Sequence, residues 1–437
     1  MEEFRKPEEI TTIELLELEF KKVFLIVDEG VIRMSCACVI ANRMDLDPVW
    51  LLLVTSSSGG KTEIISSFSK LEFIHPISDL TVNTFASGQK KTGVETSLLM
   101  KIQNGIMTFK DFTSVMSKDK EAKKAIMSQL REIFDGEYVK RTGTGDDIVW
   151  RGKVGALAGS TEAVYRHLED MTEMGDRFIM YSIDQPDRIE VSKRAMDNTH
   201  DMASKREHLK DCVRFFIEHV IKSIDNEDIV LKEEVRDELL EVADFATRVR
   251  SAVMVDFKTG LPDFVPSAEM PMRMTQQLYT LAHAFIAMDK AGAPERKGEA
   301  FELTELERRL LYRTAFDSIP RTRRDVLFPL AEFRGGVSSA GMAVHLNLPT
   351  SSTTKYLMQI NALKICKRVK SKGANGDNWI LPDNYRNILL KIRKMEVKDA
   401  VLTTTEIMDE EDAWAQYDQI KAEQENREQD TLGVLFD

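Results

Sequence analysis

Cysteine is scarce in this sequence: Cys36, Cys38, Cys212 and Cys366 are spread over 437 residues. So few, so scattered, they exclude a disulfide scaffold and make a reduced, cytoplasmic chain the expectation. Long apolar runs are also missing. The strongest is Val49–Val54, far short of the roughly 20 residues that cross a bilayer, so no membrane partner is expected. The start, Met1–Glu9, is charged and has no apolar stretch, so no signal peptide is expected. Cys36 and Cys38 have no second ligand pair at zinc-like spacing, and the seven histidines are dispersed. The two cysteines read as small buried side chains of a core element. Neither H-E-x-x-H nor G-x-S-x-G occurs, which leaves a metallohydrolase or serine hydrolase unsupported.

What is present is ample material for cores. The chain is 43% hydrophobic and 30% charged, which excludes a wholly disordered or collagen-like protein. The net charge of −12 is unevenly placed: Glu396–Asp437 holds 13 acidic and 3 basic residues. The remaining body is close to neutral, so the acidic balance does not exclude nucleic acid as a partner.

Periodicity divides the chain into five parts: a helical segment over 1–45, a core over 46–190, a helical region over 191–318, a small unit over 319–390, and an acidic tail over 391–437. Strands are expected at Val49–Val54, Leu80–Phe85, Gly105–Phe112, Lys153–Ala158 and Phe178–Ile183. Helices such as Thr62–Leu71 and Lys120–Phe134 separate most of them, so the fold class is α/β with a parallel sheet. Helical patterns follow at Asp211–Ile224, Lys232–Ala252 and Met274–Met288.

The most informative segment runs from Leu51 to Glu63. An apolar strand leads through Thr55, Ser56, Ser57, Ser58, Gly59 and Gly60 into Lys61 and Thr62, which open a helix. Small residues let backbone N–H groups approach a phosphate, and a helix N-terminus adds partial positive charge. In this P-loop reading Ser57–Glu63 bind ATP, Lys61 neutralises its phosphates and Thr62 holds Mg²⁺. The first glycine of G-x-x-x-x-G-K-[ST] is replaced by Thr55. A plain Ser/Gly turn is the competing reading.

Such a site needs a second Mg²⁺ ligand at the end of a nearby strand, and Asp111 is the candidate. The residue after it, where a carboxylate is expected to polarise water, is Phe112. Glu132, Asp135 and Glu137 lie downstream, and nothing in the sequence selects among them. Ser160 or Thr161, after a further strand, supplies a polar group near the terminal phosphate or caps the following helix.

With these parts in this order, the chain resembles the AAA+ ATPases, closest to the helicase-like branch of phage and mobile-element replication proteins, with affinities to MCM helicases. The likeness runs from about Asp45 to Leu381 and is carried by Pro48–Val54, Phe109–Val115, Gln129–Glu137 and Gly175–Phe178. It implies ATP hydrolysis at a subunit interface, assembly into a ring or oligomer, and work on DNA. It also implies an arginine finger at Arg177 and a lid arginine at Arg273, beside Met274. A hairpin flanked by Lys140, Arg141 and Lys153, around Thr142–Asp147, is placed as in relatives where it faces a pore.

Residues 321–385 have a winged-helix texture. Helices are expected at Asp325–Arg334, Ser338–Leu346 and Thr350–Leu363, followed by a hairpin around Lys370–Asp377. Lys355, Lys364, Lys367, Arg368, Lys370 and Lys372 then become DNA-backbone contacts, with Gln359 and Asn361 near base edges. Two other readings stand beside the helicase-like one. One is a nucleotide-gated DNA-binding regulator with little turnover. The other is a defence-type ATPase whose winged helix packs against its lid.

Overall fold

The computed structural model describes residues 4–28, 30–57, 59–85, 98–141, 148–167, 177–184, 187–197, 201–224, 229, 231–256, 258–265, 267–296, 301–369 and 377–397. These form two compact units: Met1–Leu240 with Pro271–Ser318, and Glu241–Met270 with Ile319–Asp437. Among the described residues, no helix is long and apolar enough to cross a membrane.

The first unit is α/β. Its sheet is formed by β1 (Trp50–Val54), β2 (Ile74–Ile77), β3 (Ile106–Phe109), β6 (Gly155–Ser160) and β7 (Ile179–Ser182). The strand order is β2-β3-β6-β1-β7, and every pairing is parallel. β1 and β6 are buried along their whole length, as a parallel sheet covered on both faces requires. Between β3 and β6 stands a separate hairpin of β4 (Glu137–Lys140) and β5 (Ile148–Arg151).

The strand expected at Leu80–Phe85 is absent, and β2 lies just before it. Leu80 and Phe85 are buried, but the backbone between them turns. Thr84 N donates to Thr81 O at 3.0 Å, and Thr81 N donates to Thr84 Oγ1 at 2.7 Å. Short hydroxyl side chains offered the backbone a local alternative to a ladder. Ile74–Ile77 escapes a periodicity search because it contains Pro76, which a sheet tolerates only at an edge, where β2 lies. At the other edge, β7 finds side-chain partners: Met180 N donates to Ser318 Oγ at 2.9 Å and Ser182 N to Asp317 Oδ2 at 2.8 Å.

Helices cover the sheet. α1 (Ile13–Val23) starts at Thr12, whose hydroxyl accepts from Leu15 N at 3.4 Å, and ends on Lys21 and Lys22, which suit its negative end. α2 (Gly30–Ala41) is buried all round and therefore lacks an amphipathic signal. Its lone arginine, Arg33, is matched by Glu17 at 2.7 Å and Glu14 at 2.9 Å. Cys36 and Cys38 lie inside this helix, free and fully buried, and burial pushes the Cys38 thiol up to about 12. Further helices span Met202–Ser223, Met272–Gly292 and Glu305–Asp317. The helix Glu233–Arg250 contains the division between the units.

The second unit holds β8 (Met254–Val255) paired with β9 (Pro262–Phe264), a hairpin that helical periodicity did not anticipate. It continues with helices Arg321–Glu332, Ser339–Leu346, Thr350–Ala362 and Asp383–Val397. β10 (Val337–Ser338), β11 (Lys367–Val369) and β12 (Asn378–Ile380) form an antiparallel sheet in the order β10-β12-β11. Arg323 is wholly buried and organises this unit. Its Nη1 donates to Val249 O at 2.8 Å and Ser251 O at 2.7 Å, and its Nε to Gln359 at 3.3 Å.

Candidate functional site

Ligands of open parallel sheets bind beyond the carboxyl ends of the strands. Here β1, β6 and β3 are neighbours, so the chain leaving Val54, Ser160 and Phe109 converges at one end of the sheet.

The segment after β1 begins as an extension of the sheet, with Thr55 N donating to Ser160 O at 3.2 Å. It then curls back: a β-carbon built on Gly59 would lie 2.5 Å from Thr55 Oγ1. Gly60 caps the next helix with φ +83°, a conformation that favours glycine. α3 (Lys61–Ser67) opens on Lys61, which is buried, with Nζ 3.3 Å from Ser56 O. Burial pushes the Lys61 ammonium below its ordinary value, and the Asp111 carboxylate opposes that shift. Thr55 Oγ1 is buried without a hydrogen-bond partner, an orphan polar atom at the base of the loop. Ser58 lies outside the described residues; Ser57 and Thr62 are exposed.

Asp111 follows β3 by two residues and is exposed. Its Oδ1 accepts from Thr113 N at 2.9 Å, fixing the turn into the next short helix. The Thr113 hydroxyl then meets Ser160 Oγ at 3.0 Å and Thr161 Oγ1 at 3.3 Å, and accepts from Thr161 N at 3.1 Å. The exits of β3 and β6 are thus tied by a cluster of hydroxyls. Thr161 takes the N-cap position of the short helix Glu162–Arg166 without making a side-chain cap bond.

Two residues of this region were missed as site residues. Gly159 is one: a β-carbon there would lie 2.9 Å from Lys110 O and 3.1 Å from Lys61 Cδ. A glycine inside an apolar strand was the available signal for a close approach. Thr113 is the other, and its spacing from Asp111 is that of an Asx turn.

Among the described residues, no group of three or more His, Cys, Asp or Glu side chains is placed to hold a metal. Mg²⁺ commonly takes one or two protein oxygens and fills its shell with water and phosphate. The Thr62 hydroxyl and the Asp111 carboxylate are exposed oxygens of the kind such a site uses.

Phe112 cannot supply the carboxylate expected after Asp111. It is fully buried, its ring 5.5 Å from Phe109 and 5.0 Å from Phe178, which in turn lies 5.1 Å from Trp50. Of the downstream acids, Asp135 is held by Arg177, with contacts of 3.0 and 3.3 Å. Glu137 is held by Arg151 at 2.8 and 2.9 Å. Glu132 is exposed.

Other expected members are placed differently. Glu63 makes a two-point contact with Arg206 of the helix Met202–Ser223, at 2.6 and 2.9 Å. Arg177 precedes β7 and so lies at the amino end of the sheet. Arg273 lies in the first turn of the helix Met272–Gly292. Gln277, one turn further along its helix, accepts from Trp50 N at 2.9 Å and donates to Arg177 O at 3.0 Å. That fixes this helix turn to the amino end of β1, about 17 Å of strand from the loop. Lys153 is not a hairpin side chain. Its Nζ donates to Met44 O at 2.6 Å beyond the end of α2, and burial pushes it down to about 8. Lys140 is in β4; Thr142–Asp147 lies outside the described residues.

In the second unit, Lys364 and Lys367 are exposed, and Lys355 is half-buried beside the β8–β9 turn. Arg368 is committed locally: it pairs with Asp377 and lies 5.6 Å from the Trp379 ring. Gln359 and Asn361 are also committed, the first to Arg323 and the second to Cys366 O at 2.8 Å. Lys370 and Lys372 lie outside the described residues.

No family model matches the chain, and no curated protein matches it. A solved structure described as "The A form apo structure of NrS-1 C terminal region-CTR" is similar over 87% of this chain and 76% of its own, at 9% identity and a TM-score of 0.25.

Proposed function

We propose that this chain is a P-loop ATPase of the AAA+ class that binds ATP with Mg²⁺ and couples its hydrolysis to the unwinding or remodelling of DNA. The observation that carries the reading is the meeting of three strand exits. The glycine loop with Lys61, the carboxylate of Asp111, and the Thr113–Ser160–Thr161 hydroxyls share the carboxyl end of one parallel sheet. Lys61 neutralises phosphate charge, the N–H groups opening α3 cradle it, and Asp111 and Thr62 hold the metal, whose charge offsets that developing on the phosphates. Thr161 orients the attacking water or the terminal phosphate. Arg177, at the opposite end of the sheet, acts only across an interface between copies in a ring or oligomer. The second unit is read as a winged helix, with Lys355, Lys364 and Lys367 on the DNA backbone.

A second reading has one specific observation in its favour. Phe112 occupies the expected position of the catalytic carboxylate and belongs to the core. A nucleotide-gated DNA-binding regulator with little turnover needs no such carboxylate.

ATP hydrolysis with and without single-stranded DNA separates the two, with Lys61→Ala as control. DNA-stimulated turnover that vanishes in the variant supports the motor. Nucleotide binding without turnover supports the regulator. Turnover unchanged in Lys61→Ala overturns the loop assignment.

A further inference from the structure

The β8–β9 hairpin presents apolar side chains to solvent. Met254 and Phe264 pair across it and are 44% and 58% exposed; Val255 is 41% exposed. The turn is held by Asp256, whose Oδ1 accepts from Thr259 N at 2.7 Å, Thr259 Oγ1 at 2.8 Å and Lys258 N at 3.1 Å. Its carboxylate is therefore committed, and Asp263 alternates to the other face of β9 from Phe264. Two cations stand at the turn of this hairpin. Lys258 is exposed in the turn, and a β-carbon on Gly260 would lie 2.8 Å from Lys355 Nζ. Neither lysine has an ion-pair partner among the described residues.

The complement of this surface is in the same chain. Asp409, Glu410, Glu411, Asp412, Trp414, Tyr417 and Asp418 set five carboxylates around two aromatic rings. The last described helix of this unit ends at Val397, and the intervening segment, 398–408, spans up to about 40 Å. The unit itself, with about 100 described residues, has a radius of gyration of about 13 Å, so a tether of this length lets the acidic segment reach much of its surface.

We propose that Asp409–Asp418 docks on the β8–β9 hairpin of its own unit, its rings against Met254 and Phe264 and its carboxylates at Lys258 and Lys355. The docking does not depend on DNA binding. Where the DNA reading holds, the docked segment competes for Lys355.

Zero-length carbodiimide cross-linking of the full chain tests this, using an equal mixture of light and nitrogen-15-labelled protein. The expected links join Lys258 or Lys355 to Asp409–Asp418 within one copy, and Phe264→Ser reduces them at least fivefold. Links between light and heavy chains overturn the proposal in favour of a second copy, and links absent or mapping elsewhere overturn it outright. Acrylamide quenching gives an independent reading, because Trp50, Trp150 and Trp379 are buried. A docked Trp414 is protected and becomes quenchable in Phe264→Ser. A Trp414 already fully quenched in the unaltered chain overturns the proposal. A failure to bind DNA with these links intact removes the DNA reading alone.

Discussion

Gly159 faces Lys61 across the sheet–helix boundary: a β-carbon built on the glycine would lie 3.1 Å from the lysine Cδ. The lysine reaches the end of the sheet because β6 is bare at that point.

Gly159→Ala is therefore expected to disturb Lys61 without changing any charge. The nearest obstacle, Lys110 O, is backbone and cannot swing away, so a loss of about 1–3 kcal/mol is expected. Denaturant unfolding reads the stability, and fluorescent-nucleotide titration reads the loop. Unchanged values in both would mean that the strand shifts freely.

Glu63 is expected to matter little to nucleotide affinity, since Arg206 already holds its carboxylate. Glu63→Gln should alter ATP affinity less than threefold. Both side chains are partly exposed, so the pair contributes less than about 1 kcal/mol of stability, and less at high salt. A tenfold affinity loss would show that Glu63 leaves Arg206 for the ligand.

Lys153 makes stability depend on pH in a stated direction. Its folded pKa, about 8, lies below its ordinary value of 10.5, so the unfolded chain binds the proton more tightly between those values. Stability from this group therefore rises with pH across that window. Urea unfolding at pH 7.5 and 9.5 checks it: the advantage of the unaltered chain over Lys153→Met should grow with pH. An advantage that is constant or shrinks would contradict the burial of the ammonium.

Arg323→Met should be costly. It strips the carbonyls of Val249 and Ser251 of their buried donor, an expected loss of about 2–4 kcal/mol. A loss under 1 kcal/mol by denaturant unfolding would show that water replaces the guanidinium.

The strand–loop–helix order around Lys61 was legible because a continuously apolar strand, a small-residue turn and a helix start are all local signals. So were the strand exits at Asp111 and Ser160. β2 was not, because its only mark is a proline that matters through its edge position. The β8–β9 hairpin was hidden in a region of helical periodicity. The positions of Arg177 and Arg273 in the fold were not legible for a different reason. A residue type at a helix or strand start says nothing about which end of the sheet it reaches, and that is decided by contacts such as Gln277 with Trp50, 227 positions apart. The partners of Gln359, Asn361 and Arg368 were not legible either, since each is set by the fold of this unit.

Both edges of the parallel sheet are closed to a further strand, by different means. On β2, Pro76 removes a donor; on β7, Ser318 and Asp317 already accept from the outward amides of Met180 and Ser182. Such edges resist templated fibril growth and edge-to-edge aggregation. They also restrict how copies can join, because neither described rim of the parallel sheet offers a full row of amides to a strand from the next molecule.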